Sequence, residues 1–162
     1  MKRNSILIVD DESYIREFLA QVLSEHFKVR FAKNSEEAVS EVNTTQPDLI
    51  LLDVLMPGVN GIETCKLIRM QPESKNIPVI MLTALGDIEQ KVKAFQAGAD
   101  DYLAKPFLPE ELIARILRKL ESKSDQKISK SETQVQLGNL KLKLDSLSLE
   151  IDGDSYDLGQ IE

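Results

Sequence analysis

The chain lacks several residue types on which whole classes of proteins depend. Its 162 residues include one cysteine, Cys65, one histidine, His26, and no tryptophan. A single cysteine cannot form an internal disulfide, and Cys65 lies in a helical pattern, so we expect it to be a small core or boundary residue. His26 falls at a predicted helix end among charged residues, and we expect it to be a solvated surface residue.

Long hydrophobic runs and an excess of basic residues are also missing. No apolar run approaches the roughly 20 residues of a membrane-spanning helix. The formal net charge is −7, with 27 acidic against 20 basic residues, which argues against a general attraction to nucleic acids or membrane surfaces. These features fit the cytosol and predict no membrane partner.

The chain does contain a regular alternation of apolar strand runs and helical patterns up to residue 121. This alternation implies a parallel sheet with helices on both of its faces. Ser13 and Ser35 are predicted to cap the first two helices. Strands are predicted at 5–9, 28–32, 48–53, 77–82 and 100–104, and helices at 13–25, 35–45, 61–70, 87–97 and 109–121.

The pattern changes after residue 121. Residues 122–133 are polar and nearly free of apolar side chains, which favours a linker. In residues 134–162, apolar and polar residues alternate between turn residues, which predicts a small antiparallel sheet with one apolar face. Because so small a sheet rarely stands alone, we expect this segment to be a piece of something larger or to pack on the first domain.

Charged and polar residues stand where four of the predicted strands end. Asp10 and Asp11 follow the first strand, and Asp53 ends the third. Thr83 follows the fourth strand, and Lys105 follows the fifth. The carboxyl ends of parallel strands open into the crevice where open α/β sheets bind their ligands. We therefore expect these five side chains to form one site.

The chemistry of this predicted site favours magnesium and phosphate. Three converging carboxylates repel one another unless a cation neutralises them, and oxygen ligands without histidine or thiolate select Mg²⁺ over zinc. Lys105 and Thr83 could contact phosphate oxygens. The set suits phosphoryl transfer, which depends mostly on positioning and charge neutralisation, with Asp53 as a nucleophile that forms an aspartyl phosphate.

These motifs, in this order and spacing, resemble the receiver domain of bacterial two-component response regulators. The similarity covers residues about 4–121 and implies a flavodoxin-like doubly wound (βα)5 sheet with strand order 2-1-3-4-5. It also implies that the Lys105–Pro106 peptide is cis. The matching segments are Ile8–Glu12, Leu49–Gly58 with Gly61, Leu82–Ala84 and Gly98–Phe107.

The resemblance implies a role for each residue of the site. Asp53 would accept a phosphoryl group from a sensor histidine kinase. Mg²⁺ would bind Asp11, Asp53 and the backbone carbonyl of Leu55, with Asp10 acting through water. Lys105 would contact the phosphate. Leu55 and Leu85 would flank the approach of the hydrolytic water, and because both are apolar the phosphoryl group is expected to be long-lived.

The resemblance further implies a conformational switch formed by Thr83 and Tyr102. Residues 98–115 and the tail are similar to the OmpR/PhoB subgroup, whose effector is a winged helix, so residues 134–162 would be the N-terminal sheet of such an effector. Phosphorylation would promote a homodimer through the fourth helix, fifth strand and fifth helix. The charged residues expected at that interface are Lys91, Asp100, Asp101, Glu111 and Arg115.

The output of such a protein would be transcriptional control, with DNA contacted through effector parts that these residues do not include. From Val135 to Glu162 the only basic residues are Lys141 and Lys143, against six acidic ones. We therefore expect that these 162 residues alone do not bind promoter DNA.

Other functions remain open from the sequence. Within the same family, the chain could be a stand-alone receiver that acts through protein contacts without DNA. A Mg²⁺-dependent phosphohydrolase would need a general acid near the nucleophile, and Leu55 cannot serve. A receiver-like module that never takes phosphate is disfavoured by the intact acidic residues, Thr83 and Lys105. We expect a signalling domain and not an enzyme, apart from its own phosphoryl transfer and dephosphorylation.

Overall fold

In the computed structural model of the chain, the described residues are 3–84, 88–129 and four short strands between 134 and 157. The chain divides into two compact units, Met1–Leu120 and Glu121–Glu162. We describe each unit by itself. The predicted domain and linker boundaries stay a prediction.

The first unit follows the predicted alternation of strands and helices. Its elements are β1 Ser5–Val9, α1 Ser13–Leu23, β2 Lys28–Ala32, α2 Ser35–Thr45, β3 Leu49–Asp53, α3 Gly61–Arg69, β4 Val79–Ala84, α4 Ile88–Gln96, β5 Asp101–Lys105 and α5 Pro109–Ser129, which continues into the second unit.

The five strands form one parallel sheet in the order β2-β1-β3-β4-β5, as the resemblance implied. All five residues of β3 are buried, because helices cover both faces of the sheet and leave its central strand no polar side. Two apolar clusters result. One lies against α2, α3 and α4 and includes Cys65, and the other lies against α1 and α5. Burial raises the pKa of the Cys65 thiol to about 11, in agreement with a core residue.

The helix ends differ in detail from the prediction. The N-cap of α1 is Glu12, and the N-cap of α2 is Asn34, whose side chain accepts a hydrogen bond from the Glu37 backbone N–H. The predicted caps Ser13 and Ser35 are therefore wrong by one residue. Each is the first helical residue of its element instead.

The last helix is longer than predicted. It runs to Ser129, so much of the predicted linker 122–133 is helical, while residues 130–133 lie outside the described part. The predicted helix end at residue 121 was too early because polarity was taken as a sign of irregular structure. Glu, Lys and Gln are polar but form helices well, so a polar stretch rich in them can still be helical.

The amino edge of the sheet, at which β4 and β5 begin, is held together by Arg69 at the end of α3. Its Nε donates to the carbonyl of Gly98 at 2.9 Å, and its Nη1 donates to that of Ile77 at 2.8 Å. Its Nη2 is 2.8 Å from Asp100 Oδ2, an oxygen that also accepts from the Val79 N–H. One guanidinium thus connects both loops that lead into these strands.

The second unit contains a four-stranded antiparallel sheet, as the alternating pattern predicted. Its strands pair in sequence order, β6 Gln134–Leu137, β7 Leu140–Lys143, β8 Ser148–Ile151 and β9 Asp154–Asp157. The other residues of the predicted segment 134–162 lie outside the described part. Among the described residues, no helix is both long enough and apolar enough to cross a membrane.

Candidate functional site

The carboxyl edge of the sheet, at which the strands end, collects the predicted site residues. Asp10 directly follows β1, and Asp53 is the last residue of β3. Lys105 ends β5, and the Lys105–Pro106 peptide that follows is cis, as the resemblance implied. Thr83 lies in β4, one position beyond Leu82, the partner of Asp53 in the sheet register.

The structure brings the acidic residues and the lysine together. One carboxylate oxygen from each of Asp10, Asp11 and Asp53 lies within 4.8 Å of the others. Lys105 Nζ is 3.1 Å from Asp10 Oδ2 and 3.3 Å from Asp53 Oδ1. Asp10, Asp53 and Thr83 are buried, whereas Asp11 is the least buried of the three carboxylates. Asp10 and Lys105 therefore meet in one site although they are 95 positions apart in the chain.

Burial makes the charge on Asp53 costly. Desolvation raises its pKa from 3.8 to about 6, and the Asp10 carboxylate contributes in the same direction. Lys105 and a hydrogen bond from the backbone of Leu55 oppose the shift without cancelling it. Burial also disfavours the Lys105 ammonium, but the Asp53 and Asp10 carboxylates outweigh this effect and raise its pKa. The site is thus short of positive charge.

These features fit a bound Mg²⁺. The donors are hard carboxylate oxygens, and they lie within 4.8 Å of one another, near enough to share one ion. Both oxygens of Asp10 already have partners, since Oδ1 accepts from the Glu12 N–H at 2.9 Å and Oδ2 faces Lys105. Asp53 likewise has two partners, Lys105 and the backbone of Leu55, so hydrogen bonding does not distinguish it from Asp10 as a metal ligand.

Gly61, the first residue of α3, allows the loop after Asp53 to fold back on itself. A Cβ at this position would lie 2.0 Å from the carbonyl oxygen of Asp53 and 2.9 Å from the Cα of Val54. The Gly61 N–H donates to the Val54 carbonyl at 2.9 Å. The sequence pattern contained this glycine, but only the structure gives the reason, which is a close approach of two backbone segments.

The predicted switch residues lie on one face of the sheet. Tyr102 pairs with Met81, and Thr83 follows Met81 by two positions, so the alternation of strand side chains places all three on the same face. Tyr102 is half-buried and packs on the apolar cluster beneath α2, α3 and α4. Its hydroxyl is buried, with no hydrogen-bond partner among the described residues. Lys91 Nζ lies 5.9 Å from the centre of its ring.

The residues predicted for a dimer interface already make contacts within the chain. Arg115 Nη1 is 2.9 Å from Asp101 Oδ1, and its Nη2 is 3.0 Å from Glu111 Oε1. These partners raise the pKa of Arg115, Glu111 first and Asp101 second. Asp100 binds Arg69 at the amino edge. The residues lie on α4, the β5 region and α5.

Two arginines that sequence reasoning missed organise opposite edges of the sheet. Arg69 joins the loops of the amino edge, and Arg16 contacts the backbone of the acidic loop at the carboxyl edge. Both act on backbone carbonyls, which every residue carries. No side-chain pattern in the sequence marks such acceptors.

The fold and the acidic site define a protein of the receiver class, and comparison with known proteins agrees. Residues 6–117 match the family described as the response regulator receiver domain. The chemotaxis protein CheY4 of Vibrio cholerae is 34% identical, with a TM-score of 0.69 over 72% of this chain and 98% of that one. This chain belongs to the response regulator receiver domain family.

Longer regulators are also similar. The phosphate regulon transcriptional regulatory protein PhoB of Klebsiella pneumoniae is 46% identical over 112 residues, which are 68% of this chain and 49% of that protein. The transcriptional regulatory protein ResD of Bacillus subtilis (strain 168) is also 46% identical over 112 residues, 68% of this chain and 45% of that protein. The chain spans about half the length of these regulators.

Proposed function

We propose that Asp53 accepts a phosphoryl group from the phosphohistidine of a sensor kinase. An oxygen of the Asp53 carboxylate attacks phosphorus, the new O–P bond replaces the N–P bond, and the imidazole leaves with that electron pair and takes up a proton. The observation that carries this proposal is a buried carboxylate beside a lysine and two further carboxylates at the carboxyl edge of the sheet. Positioning and charge neutralisation suffice for such a transfer.

The other residues of the site have supporting roles in this proposal. Asp11, Asp53 and the carbonyl of Leu55 would hold Mg²⁺, with Asp10 assisting through water. Bound Mg²⁺ supplies charge neutralisation on the phosphoryl oxygens. Lys105, held between Asp10 and Asp53, reaches the same oxygens with its ammonium. The Thr83 hydroxyl donates a hydrogen bond to the phosphorylated aspartate.

Phosphorylation would be transmitted through Thr83 and Tyr102. Movement of the Thr83 hydroxyl toward the phosphoryl group changes the space on the sheet face that it shares with Tyr102. The Tyr102 ring is half-buried and its hydroxyl lacks a partner among the described residues, so no hydrogen bond to them holds it in one position. Such a residue suits a two-state equilibrium that a ligand can bias.

The proposed output of this equilibrium is a homodimer formed by α4, β5 and α5. Three exposed apolar side chains, Ile88, Val92 and Phe95, recur along α4 at helical spacing. In this proposal, Lys91, Asp100, Asp101, Glu111 and Arg115 would form a charged rim around this stripe. A two-fold axis lets every contact occur twice. In the longer protein the dimer would control transcription, and the alternative is a stand-alone receiver that acts on other proteins. Both place the protein in the cytosol.

Chemical phosphorylation tests the proposal directly. The chain is incubated with acetyl phosphate or phosphoramidate and Mg²⁺, and the acyl phosphate is detected by intact-mass spectrometry. We expect one phosphoryl group in the wild type and none in Asp53→Asn. Asp48→Asn, which changes a carboxylate at the opposite edge, is the matched control and should be labelled normally. Full labelling of Asp53→Asn would refute the assignment.

Sedimentation tests the dimer. Beryllofluoride, which mimics a phosphoryl group, should shift the chain from monomer toward dimer, and Arg115→Glu should weaken this shift. Because exposed ion pairs contribute only about 0–1 kcal/mol each, association should be weak and salt-sensitive. A monomer at high concentration with and without beryllofluoride would contradict the interface.

A further inference from the structure

Arg16, in the first turns of α1, holds the backbone of the acidic loop. Its Nη1 donates to the carbonyl oxygen of Asp10 at 2.7 Å and to that of Asp11 at 3.0 Å. One guanidinium nitrogen therefore bridges two successive peptide carbonyls, and it fixes the orientation of the peptide group between the two aspartates. The side chain is half-buried.

The rest of the loop is held at Asp10 and not at Asp11. The Asp10 N–H donates to the Ala32 carbonyl at 3.1 Å, and the Asp10 carboxylate accepts from the Glu12 N–H. Among the described contacts of this loop, the bond from Arg16 is the one that reaches the backbone of Asp11. The direction in which the Asp11 carboxylate leaves the loop depends on that backbone.

The charge of Arg16 and its hydrogen bonds act on metal binding in opposite directions. The neighbouring carboxylates favour a cation at this position while the site holds no metal. When Mg²⁺ binds, the same positive charge near the cation site opposes binding. The hydrogen bonds to the two carbonyls favour binding instead, because they hold the loop that carries Asp10 and Asp11.

We propose that Arg16 is a positioning residue for the magnesium site, which it preorganises by fixing the peptide between Asp10 and Asp11. The inference rests on the proposed function, because it requires that these carboxylates bind Mg²⁺. It assigns Arg16 no contact with the metal or the phosphoryl group. Groups that orient metal ligands from outside the coordination shell typically change metal affinity about tenfold or more when they are removed.

The sign of the effect separates positioning from charge. Removal of a positive charge by Arg16→Met would tighten Mg²⁺ binding if only electrostatics mattered. Loss of positioning weakens it instead, and we expect the dissociation constant to rise about tenfold. A purely structural role for Arg16 would lower the melting temperature and leave the dissociation constant unchanged.

Calorimetric titration of the whole unphosphorylated chain with MgCl₂, well below each melting temperature, provides the measurement. Arg30→Met is the matched control, because Arg30 is also a half-buried arginine, but it lies on β2 and its Nη1 is 3.6 Å from Glu41 Oε2. It should bind Mg²⁺ as the wild type does. Arg16→Gln is a second neutral variant that should show the same loss of Mg²⁺ affinity. It replaces Arg16→Met in the test if Arg16→Met does not fold.

Phosphorylation kinetics provide a second readout. In the Arg16 variants the Mg²⁺ concentration for half-maximal labelling by phosphoramidate should rise by a similar factor, while the rate at saturating Mg²⁺ changes less. Unchanged or tighter Mg²⁺ binding in the Arg16 variants, with a wild type that binds and an Asp11→Asn that does not, would overturn the positioning role alone. A wild type that bound no Mg²⁺ would overturn the magnesium assignment and this inference together.

Discussion

The two edges of the central sheet differ in how their charged groups are balanced. At the amino edge, one guanidinium, Arg69, binds two backbone carbonyls and the Asp100 carboxylate. At the carboxyl edge, three carboxylates share one ammonium, Lys105, and the pKa of Asp53 rises to about 6. The amino edge is arranged for stability, whereas the carboxyl edge carries an excess of negative charge that a bound cation could neutralise.

The largest difference in stability between the edges should appear when a glycine at each edge is replaced by alanine. Gly61→Ala places a methyl group 2.0 Å from a backbone oxygen, which only a backbone shift can relieve, and we expect a loss of more than about 3 kcal/mol. Gly98→Ala meets the flexible Arg69 side chain at 2.9 Å at a φ of +99°, and should cost about 1–2 kcal/mol. Urea unfolding measures both. A smaller loss for Gly61→Ala than for Gly98→Ala would contradict this order.

Replacing Asp by Asn should change the free energy of unfolding in opposite directions at the two edges. In EDTA at pH 8, Asp53→Asn should stabilise the protein by roughly 1–3 kcal/mol, because the native state no longer holds a buried charge that it disfavours. Asp100→Asn should destabilise it by about 1 kcal/mol, because it weakens the bonds to Arg69 and to the Val79 N–H. Thermal unfolding of both variants beside the wild type gives the comparison.

The Asp53 effect should also depend on pH in a defined direction. A folded-state pKa of about 6, above the ordinary 3.8, means that the native state holds the proton more tightly than the unfolded state. The destabilisation by Asp53 is therefore absent below about pH 4, grows as the pH rises toward 6 and is complete above it. The benefit of Asp53→Asn should shrink at pH 4. An equal benefit at pH 4 and pH 8 would show that charge burial is not its cause.

A smaller effect is expected for the lifetime of the phosphoryl group. Leu55 is 60% exposed beside the site and cannot orient a water molecule. Leu55→Asn should speed loss of the acyl phosphate by a factor on the order of five, followed by mass spectrometry after the phosphodonor is removed. Met70→Asn changes a still more exposed apolar residue just after α3 and should leave the rate unchanged. If both variants decayed like the wild type, the proposed water path would be wrong.

The sequence predicted the parts of the molecule that depend on local pattern. Continuous apolar runs such as Leu49–Asp53 indicated buried parallel strands, and polar residues at their ends indicated where the site would form. The strand order came from the family resemblance and is confirmed. The helix caps were missed because Asn34 and Ser35 are both good caps, and only the backbone geometry decides between them.

Long-range contacts could not be predicted. The bond from Arg69 to Gly98 spans 29 residues, and its acceptor is a backbone carbonyl that no sequence pattern distinguishes. The raised pKa of Asp53 depends on burial and on the distance to Asp10, which the order of motifs does not contain. The length of α5 was underestimated because its polar residues were interpreted as a linker, although Glu, Lys and Gln form helices well.

The central place of β3 has a consequence for hydrogen exchange. This strand lies between β1 and β4, and all five of its residues, including Asp53, are buried. Its amide protons should exchange with solvent only when the whole sheet opens. A peptide that contains Asp53 would therefore report the global stability of the domain. A change in exchange on phosphorylation should be sought instead in peptides that contain Thr83 in β4 and Tyr102 in the outer strand β5.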